Sequence, residues 1–229
     1  MQDFQARYEI KLVCPSDWLP QVESAVRLHP EGFRTAFPPR RVNNIYLDSW
    51  DAGSVTSNLS GVGERAKLRW RWYGPALSAS AGQLELKRKR GLVGWKEVCV
   101  VAEALDLARP WPHVLDVLRQ QADERFQVWL SQVSSPAIVN HYERSYYVSW
   151  DGQLRLTLDT RQIVYDQRFS RYPNLRYRAP LMDTLIVELK AGARLANRLS
   201  AALGALPFRP ERNSKYINGF MATSDFLRG

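Results

Sequence analysis

The sequence predicts an α+β protein: an eight-stranded antiparallel β-barrel with a polar interior and helices packed outside it. Three observations predict this. A period of two recurs in eight stretches rich in β-branched and aromatic residues. The two faces of those stretches separate into cations on one side and apolar bulk on the other. Helical periods are few and fall between the strands.

In chain order, residues 7–13 (RYEIKLV) alternate charged and apolar side chains. Residues 17–28 carry a helical period, with Ser16 placed to cap it. Residues 42–47, 67–73, 84–90 and 95–101 are the next four strands. Residues 111–133 read as one long helix, because Val114, Leu115, Leu118, Ala122, Phe126, Trp129 and Leu130 recur at three and four. Strands at 137–150 and 153–165 flank Asp151-Gly152, a pair that supplies the positive φ angles of a tight two-residue hairpin turn. Residues 183–190 are the eighth strand, 193–206 form an amphipathic helix, and a last short helix begins near Ser214.

No Pro/Gly/Ser-rich linker interrupts the 229 residues, which reads as one domain over the whole chain. The 32 Lys and Arg against 23 Asp and Glu give a net charge of +9, which calls for an anionic partner without choosing one. Cys14 and Cys99 read as buried free thiols rather than a disulfide framework. No signal pattern opens the sequence, and no apolar stretch approaches the ~18 residues of a membrane span, so the chain reads as cytoplasmic.

Strand parity locates the charges. Glu9 and Lys11 share a face, as do Lys67, Arg69 and Arg71. So do Glu85, Lys87 and Lys89; then Arg155, Thr157, Asp159 and Arg161; then Glu188 and Lys190. Arg144 belongs to a less regular run. One such face alone would be a solvated surface. Several side by side repel one another unless an anion fills the space between them. The apolar faces need cover that the helices supply, so the cations point inward. Phosphate suits such a bore, because each oxygen takes charge-assisted donors and Arg offers two in a fork. The carboxylates Glu9, Glu85 and Glu188 would repel phosphate. Each either pairs with a strand neighbour or holds Mg²⁺ or Mn²⁺ bridging to phosphate, and Glu188 is favoured for the metal.

The segments YEIK (8–11), NIYLD (44–48), KLRWRWYG (67–74), LELK (84–87), YER (142–144), LRLTLDT (154–160), VELK (187–190) and SKY (214–216) occur in an order and spacing that resemble the VTC domain. That domain is the catalytic module of vacuolar transporter chaperone polyphosphate polymerases, among the CYTH-like triphosphate tunnel enzymes. The likeness runs from about Phe4 to Phe226. It implies an eight-stranded tunnel in which a metal-dependent reaction moves the terminal phosphoryl group of ATP, or another triphosphate, onto inorganic polyphosphate. It puts phosphate-binding roles on Lys11, Arg69, Arg71, Lys87, Arg144, Arg155 and Lys215, and the metal on Glu188. Parity adds Lys67, Lys89, Arg161 and Lys190. Arg212 stands where the family can carry Lys. Arg7 stands at the first position of the Glu-x-Glu-x-Lys run of the wider group, so half of that metal motif is missing. The membrane-spanning parts that accompany the eukaryotic enzymes are not in this sequence, which leaves a membrane partner open.

Rival readings are a triphosphatase or polyphosphate hydrolase of the same fold, a non-catalytic polyphosphate-binding module and, more distantly, a nucleic-acid binder. Transfer to an anionic acceptor needs no strong base, and His29, His113 and His141 are scattered, which favours polymerase. Nucleic acid is not expected: alternation puts Trp70 and Trp72 opposite Arg69 and Arg71, whereas a stacking platform needs both on one face.

Overall fold

The computed structural model describes residues 7–61, 63–77, 80–90, 93–133, 135–211 and 213–226. The strands are β1 (Arg7–Pro15), β2 (Arg34–Asp48), β3 (Glu64–Tyr73), β4 (Ser80–Arg90), β5 (Val93–Leu105), β6 (Ser135–Val148), β7 (Arg155–Asp166) and β8 (Thr184–Gly192). The helices are α1 (Leu19–Arg27), α2 (Gly53–Leu59), α3 (Trp111–Gln121), α4 (Glu124–Gln132), α5 (Ala196–Gly204) and α6 (Lys215–Phe226). All eight strands join one antiparallel sheet in the order β1-β8-β7-β6-β2-β3-β4-β5.

The expected barrel is not closed by hydrogen bonds: among the described residues no ladder joins the end strands β1 and β5. The outer edge of β1 is taken instead by the segment before α6. Glu211 N donates to Lys11 O at 2.9 Å, and Leu12 forms a bridge with Pro210. The sheet nevertheless curls far enough for Lys87 on β4 to reach Glu9 on β1 at 3.0 Å.

The apolar faces are covered from outside, as their composition requires. Leu12, Leu156, Leu158, Val187 and Leu189 pack with Val22 and Val26 of α1 and Leu199 and Ala202 of α5. Leu68, Trp70, Trp72, Leu84 and Leu86 pack with Trp111, Val114 and Leu118 of α3 and Phe126 and Leu130 of α4. Trp70 and Trp72 stack 4.4 Å apart and are fully buried there, on the side away from the arginines.

Four local expectations change. The long helix breaks at Ala122–Asp123, where the Asp123 carboxylate accepts from Phe126 N at 3.0 Å and starts a second helix. Ser16 caps no helix: it opens a 3-10 turn and donates its hydroxyl to Asp183. The Asp151-Gly152 connection is longer than two residues, spanning 149–154, with only Gly152 at positive φ. Helix α2, which the sequence reading missed, begins where Asp48 accepts from Ser54 N at 2.9 Å.

The largest departure concerns α6, which does not pack outside. It lies on the charged side of the sheet, where Tyr216 and Ile217 meet Tyr46, Ile138 and Val164. A β-carbon at Gly219 would stand 2.8 Å from Ile138 Cδ1 and 2.9 Å from Val164 Cγ2. Gly219→Val is therefore expected to lower stability by about 1–3 kcal/mol through overpacking. A urea titration checks it, as a lower midpoint at unchanged slope. No helix among the described residues is long and apolar enough to cross a membrane.

Candidate functional site

Direct cross-strand partners place the charged residues on one concave face. Glu9 opposes Lys190 and Lys11 opposes Glu188. Lys190 opposes Arg155, and Glu188 opposes Thr157. Arg144 opposes Asp159. Lys67 opposes Lys87, Arg69 opposes Glu85, and Arg65 opposes Lys89. From α6, Lys215 reaches Asp159 at 2.6 Å.

The carboxylates differ in what holds them. Glu85 is fully engaged: Oε2 accepts from Arg69 Nε at 2.8 Å, and Oε1 from Lys96 at 2.9 Å and Gln83 at 2.8 Å. Asp159 accepts two hydrogen bonds from Arg144, at 2.5 and 2.7 Å. Burial raises its pKa, but Arg144 and Lys215 outweigh that and hold it below the usual range. Glu188 is 5% exposed and bonds closely to Lys190, with Lys11 at 3.9 Å. Burial opposes its charge, yet Lys190, Lys11, Arg144 and Lys215 hold it well below the usual range. At Glu9, burial and the repulsion of Glu188 are outweighed by Lys87, Lys11 and Lys190, which pull its pKa to about 2.

The arginines are braced yet keep donors free. Arg71 Nε donates to Asn44 Oδ1 at 2.8 Å and Nη2 to the Tyr142 hydroxyl at 3.2 Å. Asn44 is itself fixed by Asn140 at 2.8 Å. Arg69 Nη1 donates to the Tyr46 hydroxyl at 3.0 Å. Arg144 commits Nε and one Nη2 hydrogen to Asp159, leaving about three of the five N–H donors a guanidinium carries.

Lys67 is held by a hydroxyl instead of an acid. Its ammonium donates to Ser214 Oγ at 2.9 Å and has no carboxylate partner among the described residues. Burial, then Lys11, Lys87, Arg65 and Arg69 in turn, depress its pKa to about 7. The face thus contains a half-buried lysine that lacks an anion, beside Arg65, whose Nε is buried without a hydrogen-bond partner.

Other expected residues are placed as follows. Lys11 donates to Asn213 O at 3.0 Å. Lys89 is half-buried on the same face, and Arg155 is exposed at its margin. Arg161 leaves the face. Its φ is +52°, the β6–β7 register slips between His141 and Glu143, and the side chain is exposed, because the bulge breaks the alternation that parity assumed. Arg212 lies outside the described residues. Tyr46, Tyr142, Asn44 and Lys96 were missed. All four sit at the right parity, but neutral or isolated residues carry no charge pattern to find them by. His141 is buried, and burial and Arg41 push its pKa to about 4, leaving a neutral ring.

Glu9 and Glu188 are coupled carboxylates on this face, but among the described residues no group of three or more His, Cys, Asp or Glu is placed to hold a metal. Each repels the other's charge, and the ammonium groups of Lys11 and Lys190 both stand between them, Lys11 at 3.3 and 3.9 Å. Thr157 Oγ1, directly opposite Glu188, is buried without a partner. Two carboxylates with phosphate oxygens suit Mg²⁺ or Mn²⁺. Both oxygens of Glu85 are engaged by Arg69, Lys96 and Gln83, and both oxygens of Glu9 by Lys87, so a cation at either would have to displace a cationic side chain.

The chain is similar in structure to an X-ray structure of a "putative adenylate cyclase" from Vibrio parahaemolyticus, with a TM-score of 0.50 and 12% identity over 98% of this chain and 100% of that one. It is also similar to the PH1819 protein of Pyrococcus horikoshii OT3, with a TM-score of 0.50 and 14% identity over 94% of this chain and 99% of that one. No curated protein matches it. The curled antiparallel sheet with its charged inner face is a fold of triphosphate-tunnel type. The VTC domain model matches residues 6–224, nearly the whole length, and the chain belongs to the VTC domain family.

Proposed function

We propose that the protein is a metal-dependent polyphosphate polymerase whose curled sheet works as a tunnel. The observation that carries this reading is Lys67, half-buried among four further cations with no carboxylate of its own among the described residues. A polyanion threaded between β1 and β4 supplies the missing charge.

In this reading Arg69, Arg71, Lys67 and Lys87 hold the triphosphate of ATP, and Arg144, Arg155 and Lys215 hold the acceptor. Lys11, Lys89 and Lys190 extend the cationic lining. Glu188, with Glu9, would hold Mn²⁺ or Mg²⁺ in place of the lysine contacts they now make, and the metal would neutralise charge on the transferring phosphoryl group. A terminal oxygen of polyphosphate forms a bond to the γ-phosphorus, the bond from that phosphorus to the β–γ bridging oxygen breaks, and ADP departs. The acceptor oxygen is already anionic, so positioning and charge neutralisation suffice. Asp159 keeps Arg144 and Lys215 aimed, and Glu85 keeps Arg69 aimed. The test is incubation with ATP and Mn²⁺, followed by gel resolution of the products. Chains that lengthen with time support the polymerase; free phosphate without chains makes it a triphosphatase.

A proton linkage follows. An anion beside Lys67 raises its depressed pKa, so the Lys67 amine takes up protons as inorganic tripolyphosphate binds above pH 7. Affinity is expected to fall as pH rises from about 7 toward the ordinary lysine range near 10.4. Titration calorimetry in two buffers of different ionisation enthalpy measures the uptake, and Lys67→Met is expected to reduce it.

A further inference from the structure

The connection between β7 and β8 is an ordered loop built around two side chains. Gln167 is 1% exposed; its amide donates to Asn174 O at 2.8 Å and its Oε1 accepts from Asn174 N at 2.7 Å. Asn174 Oδ1 in turn accepts from Arg176 N and Tyr177 N, at 3.1 and 2.9 Å. Ala179 N donates to Val164 O at 3.0 Å, and Arg171 O accepts from Trp111 N at 2.9 Å, so the loop is tied to β7 and α3. These bonds leave a cavity of about 410 Å³, with Thr223 of α6 in its wall. Its volume lies in the range of roughly 300–1,000 Å³ typical of small-ligand clefts.

The lining is unusual for a surface loop. Phe169, Tyr172 and Tyr177 are 78%, 52% and 71% exposed, and none stacks on another ring among the described residues, although the guanidinium groups of Arg168 and Arg176 lie over the rings of Phe169 and Tyr177 at 5.3 and 5.6 Å. Arg176 and Arg178 also line the cavity, and Arg171 lies in the same loop; none of the three has a carboxylate partner among the described residues. Asp166, the acid in the wall, is already neutralised by Arg168 at 2.7 Å. Aromatic faces that no ring covers and cations that no acid neutralises stand together here, the reverse of Trp70 and Trp72. Exposed rings stack on nucleobases, and forked guanidinium groups take phosphate.

We propose that this cavity is a second binding site, for a free nucleotide, with its base against Phe169 and Tyr177 and its phosphate on Arg176 and Arg178. The reading is independent of what the charged face does.

The probe is adenosine 5′-monophosphate, followed by titration calorimetry on the full chain in excess tripolyphosphate, which keeps the charged face filled. Saturable binding is expected, with adenosine and ribose 5-phosphate each at least about tenfold weaker. Phe169→Ala and Tyr177→Ala are each expected to weaken it about tenfold, the scale of one base–aromatic stack. Arg178→Glu acts on the phosphate half and is expected to do the same, and all three exposed positions leave the melting temperature unchanged. Absence of binding, binding insensitive to all three variants, or equal binding of adenosine overturns the proposal. A short single-stranded RNA that binds far more tightly than the mononucleotide overturns it as well, by making the ligand a strand.

Discussion

Asp159→Ala is expected to destabilise the protein by about 3–5 kcal/mol, the cost of leaving a buried ion pair half-made. Asp159 is fully buried and receives two hydrogen bonds from Arg144 and one contact from Lys215. Removing it leaves two cations, 12% and 8% exposed at their side chains, without their bonded carboxylate and with only the more distant charge of Glu188 to offset them. The pH dependence gives a second readout. The folded pKa of Asp159 is depressed, so its contribution is present above the unfolded carboxylate pKa near 3.9 and lost as pH falls through the folded value. The variant is expected to be less stable at pH 7 and to lose less on acidification than the parent, measured by urea unfolding at pH 7 and pH 3. Saturating tripolyphosphate is expected to restore part of the loss, because the ligand supplies the missing negative charge.

Glu188→Gln separates binding from chemistry. The side chain keeps its shape but no longer offsets Lys11, Lys190, Arg144 and Lys215. With less negative charge on the face, the variant is expected to bind metal-free tripolyphosphate at least as tightly as the parent. Turnover with ATP and Mn²⁺ is expected to fall about 10²–10³-fold, because a metal clamp supplies several kcal/mol and each 1.36 kcal/mol is tenfold. Weaker binding together with intact turnover would remove Glu188 from the metal role. Glu85→Gln is the contrast: it frees Arg69 and Lys96, so it is expected to disturb phosphate affinity and stability together.

Much of this arrangement was legible because alternation in a strand is a geometric necessity. Parity alone put Lys67, Arg69 and Arg71 on one face and Trp70 and Trp72 on the other, and the structure keeps that division. Parity failed at Arg161, where a residue at positive φ in a bulge ended the alternation. Helix periodicity says that a face is apolar but not which surface covers it. That is why α6, whose Gly219 permits close approach to Ile138 and Val164, was placed outside instead of on the charged side. The break after Gln121 was hidden because α3 and α4 both pack on the same core, so their apolar positions continue one period. The ladder between β1 and β5 depended on a competitor 200 residues away: residues 210–211 bind the edge of β1, and no local pattern announces it.

The central claim is that the concave face holds a phosphate chain and a metal at one place. A crystal structure with a non-hydrolysable triphosphate analogue and Mn²⁺ tests it most directly. Phosphate oxygens are expected within hydrogen-bond reach of Lys67, Arg69, Arg71 and Lys87, with anomalous manganese density bonded to Glu188. An analogue bound elsewhere, or manganese away from Glu188, would contradict it.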